Sequence, residues 1–183
     1  VLHCTVQRCC AAAPKEGMRG RRVNETEKQK MNDILRGWAD TRDAQRMHQY
    51  IQHGTVTTYD HCMSVAQTSF WLNRRLHIGA DEQSLVRGAF LHDFYLYDWH
   101  DGAPERKIHG FIHPAAALRN AKARYPLNLR EEQIILTHMW PLTLRQMPRC
   151  REAVLVSLAD KCCSLKETLM MRKKDAAQPN TIR

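Results

Sequence analysis

The sequence predicts an all-α, single-domain helical bundle, and three observations carry that expectation. The chain has 183 residues and is 43% hydrophobic, enough to bury one core of ordinary size but short for two domains. Only seven Pro and eight Gly occur, several of them where helices would start or stop. No segment sustains the period-two alternation of a strand for long, whereas apolar residues recur at three- and four-residue steps.

Taken in order, Glu25–Trp38 reads as an amphipathic helix with Met31, Ile34, Leu35 and Trp38 on one face, and Thr41–Gln52 as a second packing helix. His53-Gly54 breaks the pattern. Thr57-Thr58 then offers an N-cap for a helix running to about Leu76, on which His61 shares a face with Val65, Ser69 and Leu72. Asp81 caps the next helix, whose stripe contains Leu85, Ala89, His92 and Asp93. A loop from about Tyr97 to Gly110 leads to His113-Pro114, which is expected to open an alanine-rich helix ending near Arg124. Glu131–Met139 is a short helix carrying His138 at its end, before Trp140-Pro141. The last helix is expected over about Arg151–Met171, with Leu155, Leu158, Cys162, Leu165 and Leu169 as its apolar stripe and Asp160 off that stripe.

Charge says less than its total suggests. The formal net charge is +9, but residues 1–30 hold seven Lys/Arg against three Glu, and residues 161–183 six against two acids. The middle, with fifteen bases and fourteen acids, is nearly neutral. The excess therefore belongs to the ends, which argues against nucleic acid as the partner. Residues 1–24 read as an N-terminal extension, 25–172 as the helical domain and 173–183 as a basic tail. Seven cysteines without a CxxC pair suit reduced thiols and a cytoplasmic setting. No apolar run approaches the ~18 residues of a membrane span. An oligomer is left open. Walker-type glycine loops and the HExxH zinc motif are both missing from the sequence.

Chemistry enters at His92-Asp93, which interrupts the apolar stretch Leu85–Phe94. Burying an imidazole and a carboxylate is costly unless they are paired or hold a metal. Taken singly, each polar residue has a structural explanation: His61 as a satisfied core histidine, Asp160 as a partner for Lys161 or Arg151. Together, three or four histidines and two aspartates near apolar helix faces form a set suited to Mn, Fe, Co, Ni or Zn rather than Ca or Mg. Such an ion would activate water against a phosphoester or phosphoanhydride.

The order His61, His92-Asp93, Asp160, with Asp60-His61 opening a helix, Ala89-Phe90-Leu91 before the doublet and Leu158-Ala159 before Asp160-Lys161, resembles the HD-domain superfamily of metal-dependent phosphohydrolases. The resemblance spans about residues 55–170. It implies an HD-type helical bundle, a divalent transition metal held by His61, His92, Asp93 and Asp160, and His92 and Asp93 at the catalytic centre, with Asp93 touching both metal and attacking water. His113 and His138 stand where members with a second ion place further histidines, in a pattern similar to the bacterial HD hydrolases of dinucleoside polyphosphates. His109 is the weaker competitor of His113. The stretch Phe94–Trp99 departs from that pattern, where Gly or Lys often follows the doublet.

The resemblance implies a nucleotide or other small phosphorylated compound as substrate. Lys161, Arg119, Arg145 and Arg106 are candidate phosphate contacts, and the aromatic loop Phe94–His100 is expected at the mouth of the site, as a nucleobase stack or as a lid. Two alternatives remain at this stage: an HD fold used for binding or regulation around a structural metal, and a nucleic-acid-binding protein using its basic ends.

Overall fold

The structure, a computed structural model, describes residues 25–100 and 108–177, with side chains to residue 172. The N-terminal extension, Arg106 and the last residues of the basic tail lie outside the described residues. Seven α-helices and one small hairpin make up the rest: α1 (Glu25–Leu35), α2 (Arg42–Arg46) followed by a 3-10 turn (Met47–Gln49), β1 (Ile51–His53), β2 (Val56–Thr57), α3 (Thr58–Arg75), α4 (Glu82–Leu91), α5 (His109–Lys122), α6 (Leu129–Thr137) and α7 (Arg151–Ala177). The fold is all-α. Helix α3 packs against α4 and α7, α4 and α7 both pack against α6, and α5 lies on α6.

Local chemistry sets most boundaries. The Thr57 hydroxyl accepts from the Asp60 amide at 3.2 Å, and the Asp81 carboxylate from the Ser84 amide at 2.9 Å, so one orphan first-turn donor of each helix has a partner. Helix α6 starts at Leu129, two residues before the expected Glu131, capped by Asn128 in a capping box: its side chain accepts from Glu131 N while the Glu131 carboxylate accepts from Asn128 N. Between α3 and α4 the Asn73 amide clasps the backbone of Ala80, accepting from its N–H at 2.9 Å and donating to its carbonyl at 3.1 Å. The core joins Phe70, Leu85, Phe90, Leu91, Phe94, Ile134 and Val156, all fully buried; each such side chain stabilises the fold by about 1.5–3 kcal/mol. Gly88 lets α4 and α6 approach closely, since a Cβ there would lie 2.5 Å from Ile134 Cδ1.

Four expectations are corrected. The helix over Thr41–Gln52 is a single α turn plus a 3-10 turn, and Ile51–His53 pairs antiparallel with Val56–Thr57 around Gly54, whose φ of 60° closes the hairpin. Helix α1 stops at Leu35, because Gly37 at φ 75° turns the chain before Trp38 packs. Helix α5 begins at His109, so Pro114 lies inside it and removes one hydrogen bond rather than opening the helix.

The fourth correction concerns α7, which is six residues longer than expected and turns its other face to the core. Of the expected stripe Leu155 is buried, but Leu158 is 54% and Leu165 61% exposed, and Cys162 and Leu169 also face outward. The buried face carries Ala153, Val156, Asp160, Cys163 and Glu167. Apolar spacing marked the outer stripe because the inner one is interrupted by carboxylates.

Candidate metal centre

Five helices bring the six histidines and aspartates of the motif together. His61 lies in the first turns of α3, His92 is the C-terminal cap of α4 with Asp93 next in chain, His113 sits one turn into α5, His138 caps the end of α6, and Asp160 lies midway along α7. All six are at least nine-tenths buried. Two of the helices, α4 and α6, end at this cluster, and a helix C-terminus carries partial negative charge that favours a cation.

The donor atoms fall into two groups around Asp93. On one side, Asp93 Oδ2 is 3.3 Å from His92 Nε2 and 3.9 Å from His61 Nε2, while Asp160 Oδ1 is 3.2 Å from His61 Nε2 and 3.8 Å from His92 Nε2. On the other, Asp93 Oδ1 is 3.1 Å from His113 Nε2 and 3.5 Å from His138 Nε2. The two outer histidines face each other at 2.7 Å between their Nε2 atoms.

Tautomers follow from what the far side of each ring touches. His92 Nδ1 lies 2.7 Å from Ala89 O, His113 Nδ1 2.8 Å from His109 O and His138 Nδ1 2.8 Å from Ile135 O. A carbonyl can only accept, so each Nδ1 carries the proton and each Nε2 turns a lone pair inward. Two facing lone pairs at 2.7 Å repel unless a cation or proton lies between them.

The residues present fit a metal. His92 Nε2 and Asp93 Oδ1 are buried with no hydrogen-bond partner, which is costly for a polar atom unless an ion satisfies it. Two sets of three side chains, His61 with His92 and Asp160, and His92 with Asp93 and His138, bring one donor atom each within 4.8 Å of one another. Imidazole nitrogen with carboxylate oxygen is the donor set of Zn, Mn, Fe, Co and Ni.

Electrostatics agree with that chemistry. Burial raises the Asp93 carboxyl, but the neighbouring His92 and His113 imidazoles outweigh it and hold Asp93 well below the usual range. Asp160, also raised by burial, is brought to about 2 by its hydrogen bond with His61. Burial and the neighbouring His113 push His138 down to about 3, leaving its imidazole neutral. For His61 burial is overcome by Asp160 and Glu167, which raise it to about 10 without an ion.

Three residues that the motif does not reveal surround the cluster. The Gln52 side-chain amide donates to Asp93 Oδ2 at 2.7 Å, and its Oε1 accepts from Tyr95 Oη at 2.5 Å. Both oxygens of Glu167 approach His61 Nδ1, at 3.0 and 3.2 Å. Gln52 could not be read as a site residue while it was placed at a helix end. Glu167 had a signal, a seven-residue step from Asp160 on one helix face.

A cavity of about 810 Å³ opens onto the cluster, lined by Asp93, His113, His138 and Asp160 on one side and by Trp99, His109, Met139, Pro141, Leu142 and Lys161 on the other. Trp99 stacks on His109, centroids 5.0 Å apart at 11°. Phe94 and Tyr95, expected at the mouth, are instead buried in the core; of the stretch Phe94–His100 only Trp99 lines the cavity. The Lys161 ammonium donates to His138 O at 3.1 Å and to Ser157 O and Oγ at 3.0 Å. Arg145 lines a separate cavity near α6, and Arg119 is exposed and lines neither.

An all-helical domain holding buried imidazoles and carboxylates around one opening is an architecture suited to a divalent metal. The HD domain family model matches residues 58–165, more than half of the chain, and the chain belongs to the HD domain family. Members of this family are typically metal-dependent phosphohydrolases and bind divalent metals. Searches of the curated proteins and of the solved structures found no match. No helix among the described residues is long and apolar enough to cross a membrane.

Proposed function

We propose that this protein is a cytoplasmic metal-dependent phosphohydrolase that cleaves a phosphoester or phosphoanhydride of a nucleotide or other small phosphorylated compound. The observation that carries the reading is Asp93, whose two oxygens serve two different sets of imidazoles and whose Oδ1 has no hydrogen-bond partner. His61, His92, Asp160 and Asp93 Oδ2 would hold one divalent transition ion, and His113, His138 and Asp93 Oδ1 a second. Such ions lower the pKa of a bound water and neutralise charge developing on the phosphoryl group.

The remaining work falls to side chains. Asp93 accepts a hydrogen bond from the attacking water and aligns it with the phosphorus. His113 and His138 close the cavity side of the cluster, and burial keeps bulk water away from it. Trp99, with the His100 and His109 rings against it, contributes aromatic surface to the cavity for contact with a nucleobase. Lys161 supports His138 through its carbonyl and adds positive charge beside the cavity.

The test is a panel of phosphomonoesters, nucleotides and dinucleoside polyphosphates, assayed with Mn²⁺, Fe²⁺, Co²⁺, Ni²⁺ and Zn²⁺ on wild type and Asp93→Ala. The expected outcome is turnover of at least one compound by the wild type and a loss of 10³-fold or more, on the order of 4 kcal/mol, in the variant. A wild type that hydrolyses nothing with any of these ions contradicts the reading.

A further inference from the structure

Three of the four cluster histidines are held in the same way, by a backbone carbonyl of the preceding helical turn on Nδ1. His61 is the exception. Its Nδ1 meets a carboxylate, that of Glu167, with Oε2 at 3.0 Å and Oε1 at 3.2 Å. Glu167 is only 9% exposed, and among the described residues His61 is its one hydrogen-bond partner.

The helix period explains the arrangement. Asp160 and Glu167 are seven residues apart on the inner face of α7, about 10 Å along the axis, and α7 packs against α3. One His61 ring therefore lies between two carboxylates of the same helix, with Nε2 at 3.2 Å from Asp160 and Nδ1 on Glu167. Burying a second carboxylate beside a metal cluster is costly, and a neutral residue would fill the space more cheaply. A carboxylate on the outer nitrogen of a ligand histidine fixes the ring's tautomer and orientation and raises its basicity as a ligand.

We propose that Glu167 is a positioning residue of the metal centre: it holds the proton of His61 on Nδ1 and aims the Nε2 lone pair at the ion shared with His92, Asp93 and Asp160. The inference rests on the metal-centre reading above. It makes α7 the source of two contributions to one site, a ligand at Asp160 and the orienting partner of another ligand at Glu167.

Zn²⁺ affinity, measured by competition with a chromophoric chelator, tests this on wild type, Glu167→Gln and Glu167→Ala, with far-UV circular dichroism to verify the fold. Glu167→Ala is expected to bind the tighter Zn²⁺ 10- to 100-fold more weakly. Glu167→Gln, similar in volume and still able to accept through its amide oxygen, should lose less. Nitrogen-resolved NMR of the imidazoles in the Zn²⁺-loaded protein supplies a readout that simple packing would not move: the His61 Nδ1 proton should shift upfield in Glu167→Gln, while those of His92 and His138 stay in place.

Affinities within twofold of wild type in both variants, or an unmoved His61 proton, overturn the role of Glu167 while leaving the metal centre intact. Failure of wild type itself to take up Zn²⁺ overturns the metal centre and this inference together. Should Glu167→Ala not fold, Glu167→Gln decides alone on the same two readouts.

Discussion

Asp93 owes its position to neighbours of different kinds on its two oxygens. Oδ2 accepts from Gln52, which is itself held by Tyr95 Oη at 2.5 Å, and Tyr95 Oη lies 3.0 Å from Thr58 Oγ1. This buried chain leaves Oδ1 free to face His113 and His138. Gln52→Leu keeps the volume but removes the donor to Asp93, leaving Tyr95 Oη with Thr58 Oγ1 alone. We expect kcat/KM to fall about 10- to 100-fold with little change in the circular dichroism spectrum; wild-type kcat/KM in this variant would rule out the orienting role. The ligand candidates were readable because histidine and aspartate stand out in apolar helices. Gln52 was not, since an amide on an amphipathic segment looks like solvated surface until packing is known, and Glu167 offered only its seven-residue step from Asp160. The candidate phosphate contacts were hardest to read: Arg119 and Arg145 do not line the cavity, and no local pattern distinguishes such an arginine from one that reaches a ligand.

Among the elements, those with local signals were legible and those set by tertiary packing were not. Caps Thr57 and Asp81 stand where hydrogen-bonding chemistry puts them. The hairpin at Ile51–Thr57 has no sequence signature because its strands are too short to show alternation. On α7 two stripes compete, and the more regular one faces outward because the inner face has Glu152, Asp160 and Glu167 at the core. Glu152 also accepts from the Asp81 backbone amide at 2.7 Å, tying α7 to the start of α4. The Asp81 carboxyl is held below its ordinary value first by Ser84, through side chain and backbone alike. A depressed folded-state pKa means that the cap's contribution is complete above the unfolded value, near 3.9, and is lost as pH falls through the folded value. Asp81→Ala should therefore cost about 1 kcal/mol in urea unfolding at pH 7, with the gap to wild type narrowing below about pH 4. A gap that is constant from pH 7 to pH 3 would assign the loss to something other than the ionised cap.

For the molecule as a whole, the HD domain match over residues 58–165 covers α3 to most of α7. The segment before it is more than a leader to that domain. It delivers Gln52 to Asp93, and α1 packs on α3 and α4 through Met31 and Leu35. The site is thus assembled from five helices and a hairpin, so that each candidate ligand depends on packing far from it in sequence. Metals per chain, measured by inductively coupled plasma mass spectrometry after equilibration with Mn²⁺ and removal of free ion, test the central claim most directly. Wild type should hold about two ions, His138→Ala about one and Asp93→Ala fewer than one; a wild type that retains none under any divalent ion would contradict the account.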